Sequence, residues 1–126
     1  MNSDLKITVE EMQAGDIPVT VFHIRGWLDG QSEAEFLGAA RTAYDAGARY
    51  LLIDMDELDT LTSAGIRAIQ KVYQMYTPKE EHLKVSHLKL CKAPPQIYNV
   101  LGITGFLHNV PMYESMGAAL DSFAKG

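Results

Sequence analysis

The chain has 126 residues, 47% of them apolar and 21% charged, and carries a net charge of −5 at pH 7. One domain spanning residues 1–126 is expected, since single domains run to roughly 100–200 residues, and that length buries a core without staples. The negative balance, with no basic stripe interleaved with aromatics, argues against nucleic acid or an anionic membrane surface as a partner.

Cys91 is the single cysteine, so no internal disulfide can form and a reducing compartment fits best. Within "VSHLKLC" it reads as a buried, inert thiol. The opening "MNSDLKITVEE" lacks the basic start and apolar stretch of a signal peptide. No apolar run approaches the roughly 20 residues that span a bilayer. A cytoplasmic protein without direct membrane insertion is expected.

In chain order, "LKITVEEM" alternates Leu5, Ile7 and Val9 against Lys6, Thr8 and Glu10. "AGD" from Ala14 turns the chain, and "IPVTVFHIRGW" follows as a second strand, so the two predict an antiparallel hairpin. Pro18 points to an edge or to the start of that strand. Phe36, Leu37, Ala40, Ala43 and Tyr44 then recur at helical spacing, with Gly47 placed for a left-handed C-terminal cap. "RYLLIDM" is a continuous apolar run suited to a strand covered on both faces. Ile66, Ile69, Val72, Tyr73 and Tyr76 trace one helical face, which Pro78 ends.

"KVSHLKLC" reads as a strand, and "PPQIYNVLG" as a short helix with proline in its first turn and glycine after its end. "LHNVPMY" reads as a brief strand, and "ESMGAALDSFAKG" as a final helix with Met116, Leu120 and Phe123 inward. The order β-β-α-β-α-β-α-β-α predicts an α/β fold with one mixed sheet and helical crossovers.

Most candidate sites yield to plainer readings. His23, His82, His87 and His108 lack metal-ligand spacing, so no metal site is expected and each is read as structural or superficial. No Gly-rich phosphate loop occurs, and no cofactor is expected. "TSAG" lacks the glycine that a nucleophile elbow places before its serine, so no catalytic residues are assigned and an enzyme is not expected. Asp54, Asp56, Glu57 and Asp59 do not match a calcium loop and read as a solvated loop that can rim a partner. Asp29 in "GWLDG" reads as a turn residue, and Trp27 as a core-edge residue.

The stretch "DELDTLTSAGI" places Thr62 and Ser63 at a helix start. In the plain reading one hydroxyl caps the helix, an interaction worth about 1 kcal/mol. In the sharper one Thr62 caps, while Ser63 presents its hydroxyl beside Gly65, where a partner can approach. A phosphate there suits the free N–H groups and the helix dipole, yet adds about −1.5 to −2 charges beside an acidic segment. Local chemistry alone favours the plain reading.

The order of elements, with four stretches, resembles the STAS domain of sulfate transporters and anti-sigma factor antagonists. "GWLDG" is similar to that family's Gly-x-Leu-Asp segment, and "LLIDMDELDTLTSAGI" to its strand, loop and Asp-Ser-Ser-Gly-like helix start. "VLGITGF" and "VPMYESMGAALDSF" resemble its segment after the third helix and its closing strand and helix. The likeness runs from about Leu5 to Phe123. It implies a STAS-like fold and a binding module that captures an anti-sigma factor, often a serine kinase, and releases it on phosphorylation. By position it makes Ser63 the phosphoacceptor, with Asp29, Thr62, Ser63 and Ala64 on the docking face; Asp56, from the acidic segment, is added to that partner-binding set as its charged rim. Thr62 stands where the family has Asp, and Ala64 where it has a second Ser.

Two other functions compete. One is an unphosphorylated accessory subunit of a membrane transport system or a signalling scaffold. The other is a hydrolase with Ser63 as nucleophile, which needs His23 or His87 within hydrogen-bond reach and has the least support. The sequence does not report an oligomeric state.

Overall fold

The computed structural model describes residues 4–77, 87–108 and 110–125. Five strands lie side by side in chain order: β1 (Lys6–Ala14), β2 (Ile17–Leu28), β3 (Leu51–Leu61), β4 (Leu88–Cys91) and β5 (Met112–Tyr113). β1 and β2 form the antiparallel hairpin, turning at Gly15 with φ of 63°. Every later pairing is parallel, so helices must return the chain between strands. These are α1 (Glu33–Asp45), α2 (Ser63–Tyr76) and α3 (Pro95–Ile103), with α4 (Met116–Ala124) after β5. Pro18 lies ahead of the β2–β3 pairing, which begins at Thr20, so its missing N–H costs no bond to β3.

Alternation along the strands divides the core into two layers. Phe22, Ile24, Leu28, Ile53 and Met55 share one layer with Phe36 of α1, Ile66 and Ile69 of α2 and Ile97 of α3. Val19, Val21, Leu52 and Cys91 share the other with Ala119 and Phe123 of α4. The first two helices are tied by the Tyr76 hydroxyl, which donates to the Ala40 carbonyl at 2.9 Å.

Three expectations need correction. The acidic segment is not a loop: β3 continues through it to Leu61. It gains one residue on β2 between the His23–Asp54 and Arg25–Glu57 pairs and another between Gly26–Leu58 and Trp27–Thr60. Each extra residue swaps the inward face, which is why Met55, Leu58 and Leu61 are all buried at a spacing of three. The alternation of β1 is seen, and Val9 on it is 53% exposed on the outermost strand. Gly102 lies inside α3, and the left-handed turn falls on Gly105, φ 76°. The closing strand is only Met112–Tyr113, because Phe106–His108 form a 3-10 turn. His82, Pro78 and the first residues of "KVSHLKLC" lie outside the described residues.

Candidate functional site

The start of α2 is built by a long-range contact as well as by a cap. Thr62 is extended (φ −102°, ψ 174°), and its side-chain oxygen accepts from the Gly65 N–H at 3.3 Å. Its own N–H donates at 3.2 Å to the carbonyl of Leu28, the last residue of β2. That carbonyl also occupies the space a Cβ on Gly65 would fill. Gly65 is therefore fixed by the chain's own backbone, and the close approach expected from a partner is already taken.

Ser63 opens the helix, and its side chain is exposed. Among the described residues nothing hydrogen-bonds its hydroxyl, and no described group accepts from the N–H of Ser63 or Ala64. Thr62 is thus the cap, and Ser63 is left outward at the positive end of a 14-residue helix. Ala64 is half-buried, with its Cβ 3.8 Å from where one on Gly30 would lie. It packs the loop between β2 and α1 against α2.

Asp29 sits in that loop. Its Oδ1 accepts from the N–H groups of Gln31 and Ser32, both at 3.1 Å, and lies 3.1 Å from the Ser32 hydroxyl. The Ser32 hydroxyl donates to the Trp27 carbonyl at 2.8 Å and accepts from the Asp29 N–H at 3.0 Å. Asp29 is therefore a turn residue, and it also stands in the loop that touches the Ser63 helix. Ser32 is a residue that sequence reasoning misses; its signal is its place three residues after Asp29 and just before a helical pattern. Of the predicted face, Asp29, Thr62, Ser63 and Ala64 are brought together. Asp56 is not: it is exposed on β3 beside Glu57, and its N–H donates to Asp54 Oδ1 at 3.0 Å.

His23 and His87, the two histidines weighed as bases for Ser63, are engaged with other groups. The ring nitrogens of His23 lie 2.7 Å from Asp54 Oδ2 and 2.8 Å from Glu10 Oε1, linking three strands. Burial lowers the pKa of His23, but hydrogen bonds and charge from Glu10 and Asp54 outweigh it, and the net shift is upward. His87 Nδ1 lies 3.0 Å from the Arg49 carbonyl, and its ring stacks on Tyr50. Among the described residues no group of three His, Cys, Asp or Glu side chains is arranged to hold a metal ion. Cys91 is fully buried, and burial pushes its thiol pKa up to about 12, aided by Asp54. Trp27 is 37% exposed, at the edge of the core. No described helix is long and apolar enough to cross a membrane.

Known proteins share this architecture. A Bordetella bronchiseptica protein provisionally described as an anti-sigma factor antagonist, BtrV, is 24% identical over 119 residues, covering 94% of this chain and 95% of its own. An anti-sigma factor antagonist from Mycobacterium paratuberculosis superposes with a TM-score of 0.78 at 19% identity, covering 97% of this chain and 95% of that one. The phosphorylated form of the Bacillus cell fate determinant SpoIIAA superposes with a TM-score of 0.65 at 15% identity, covering 94% and 99%. At such identities the solved structures establish the fold. The STAS domain family model matches residues 10–119, and the chain belongs to the STAS domain family.

Proposed function

We propose that this chain is a cytoplasmic anti-sigma factor antagonist: a binding module, not an enzyme, that captures an anti-sigma factor with serine kinase activity. The observation that carries the reading is Ser63, exposed and unbonded at the capped start of α2 and flanked by the Asp29 loop. The description of BtrV and the SpoIIAA structure in its phosphorylated form support it.

The mechanism follows from charge. Unmodified, Ser63 offers a small polar surface that a partner can cover. A phosphate on its oxygen is accommodated by the chain itself, since the N–H groups of Ser63 and Ala64 have no acceptor among the described residues. It adds about −1.5 to −2 charges at the start of α2, against the loop that carries Asp29. A partner shaped for the neutral hydroxyl then meets an unpaired dianion, while the fold stays intact. The hydrolase alternative is less well supported: of its two candidate bases, His23 is engaged by Asp54 and Glu10, and His87 Nδ1 lies 3.0 Å from the Arg49 carbonyl.

The test pairs capture with modification. Tagged wild-type chain should retain one kinase-sized partner from its native lysate, and Ser63→Asp should lose it. With ATP, that partner should add a single phosphate that intact-mass analysis finds on the wild type and not on Ser63→Ala. Phosphate on another residue, or none from a partner that binds, would refute the switch; recovery of a transporter ATPase instead would refute the anti-sigma reading.

A further inference from the structure

β1 ends the sheet, so one of its edges pairs with no other described strand. It is long and regular: its nine residues pair with β2 without a register shift. Edge strands are usually blunted by proline, by charged side chains, by bulges or by a cover, because their free N–H and C=O groups template another strand. The charges of β1, Lys6 against Glu10 and Glu11, are of both signs and so can complement a second copy. β1 carries no proline and no bulge. Beside it an open groove of about 740 Å³ separates β1 and β2 from the C-terminal half of α1, lined by Val9, Ala39, Ala43, Ala46, Ala48 and Tyr50.

We propose that the chain forms a two-fold homodimer in which β1 pairs antiparallel with β1 of a second copy, centred on Thr8. The register follows from charge. Centring on Thr8 sets Lys6 opposite Glu10 of the second copy, twice, and Ile7 opposite Val9, twice. Centring on Ile7 instead sets Asp4 against Glu10, and centring on Glu10 sets two glutamates face to face. Centring on Val9 leaves Lys6 opposite Met12. Opposite charges across a ladder stabilise it and like charges destabilise it, so the Thr8 register is the favoured one.

Alternation puts Lys6, Thr8 and Glu10 on one face of the strand and Ile7 and Val9 on the other. Glu10 already lies 2.8 Å from His23, which in turn lies 2.7 Å from Asp54. Lys6, with no carboxylate partner among the described residues, would extend this as a row of alternating sign from Asp54 through His23 and Glu10 to the second copy. On the opposite face Ile7 and Val9 of the two copies would meet beside the alanine-lined groove. The seam uses no residue of the Ser63 site, so each copy keeps its own docking face, and the dimer forms whether or not that face binds an anti-sigma factor.

Sedimentation equilibrium on the full chain tests it. Wild type should be a reversible dimer. Lys6→Glu and Glu10→Lys should each weaken the dimer by roughly tenfold or more, and the double exchange should restore it. Circular dichroism of each variant separates loss of pairing from loss of fold. Thr8→Cys should form a disulfide-linked dimer under mild oxidation, since Cys91 is buried, whereas Lys6→Cys should not. A wild type that stays monomeric at every concentration, a dimer indifferent to the charge exchanges, or a dimer without the Thr8→Cys cross-link would overturn the proposal.

Discussion

The carbonyl oxygen of Leu28 lies against the α-carbon of Gly65, leaving no room for a side chain there, and accepts the N–H of Thr62 at 3.2 Å. The end of β2 and the start of α2 are therefore locked by backbone alone. An added methyl would meet backbone, which cannot rotate away. Gly65→Ala is expected to destabilise by about 1–3 kcal/mol through overpacking, although alanine is the better helix former. Gly38 in α1 has nothing within 4 Å of the place a methyl would take, so Gly38→Ala should stabilise by about 0.5–1 kcal/mol. Urea unfolding of both variants checks the opposite signs.

Thr62 and Ser63 are adjacent hydroxyls with different work. Thr62→Ala removes the oxygen that accepts from Gly65 N–H; at 3.3 Å the bond is long, so a loss near 0.5–1 kcal/mol is expected, at the lower end for a cap. Ser63→Ala removes an exposed, unbonded hydroxyl and should stay within about 0.5 kcal/mol of wild type. Under the proposed function the order reverses in partner capture and phosphorylation, with Ser63→Ala abolishing the phosphate. Thermal unfolding beside intact-mass analysis separates the two roles.

Cys91 gives a probe of global opening. Its side chain is wholly buried in the layer closed by α4, and its thiol is held protonated by a pKa of about 12. Only the thiolate reacts. Labelling by an excess of thiol reagent should therefore be slow in the native state and should rise with urea along the unfolding curve. Labelling at the rate of a free cysteine without denaturant would contradict this burial.

The helices, the hairpin and the Thr62 cap are readable in the sequence because each rests on local spacing: Ile66, Ile69, Val72 and Tyr76 on one helical face, Gly15 at a turn, a hydroxyl before a helical run. The acidic end of β3 is not, because its strand character depends on pairing with β2. Two extra residues break the period of two, and Met55, Leu58 and Leu61 then show neither strand nor helix spacing. Gly65 reads in the sequence as an opening for a partner, since the carbonyl that fills the space comes from Leu28, 37 residues earlier by subtraction of the two positions. The tie made by His23 is hidden for the same reason: its partners, Glu10 and Asp54, belong to the strands on either side.

The His23 bridge makes stability depend on pH with a definite sign. Burial alone would lower its pKa, but the bonds to Glu10 and Asp54 raise it above the ordinary value, near 6.5. The folded chain thus holds the proton more tightly than the unfolded one. By linkage, the bridge's contribution is fully present below about pH 6.5 and is lost as pH rises through the higher folded value. His23→Gln stays uncharged throughout, and His82, His87 and His108 cancel when the two proteins are compared at each pH. The excess in melting temperature of wild type over His23→Gln should be greatest on the acid side, while Glu10 and Asp54 remain ionised, and should shrink toward alkaline pH. Because the His23 side chain is 32% exposed, solvent and salt should reduce the difference. A difference that grows with pH would show that His23 is held neutral between its two carboxylates, and the bridge would then be a pair of ordinary hydrogen bonds.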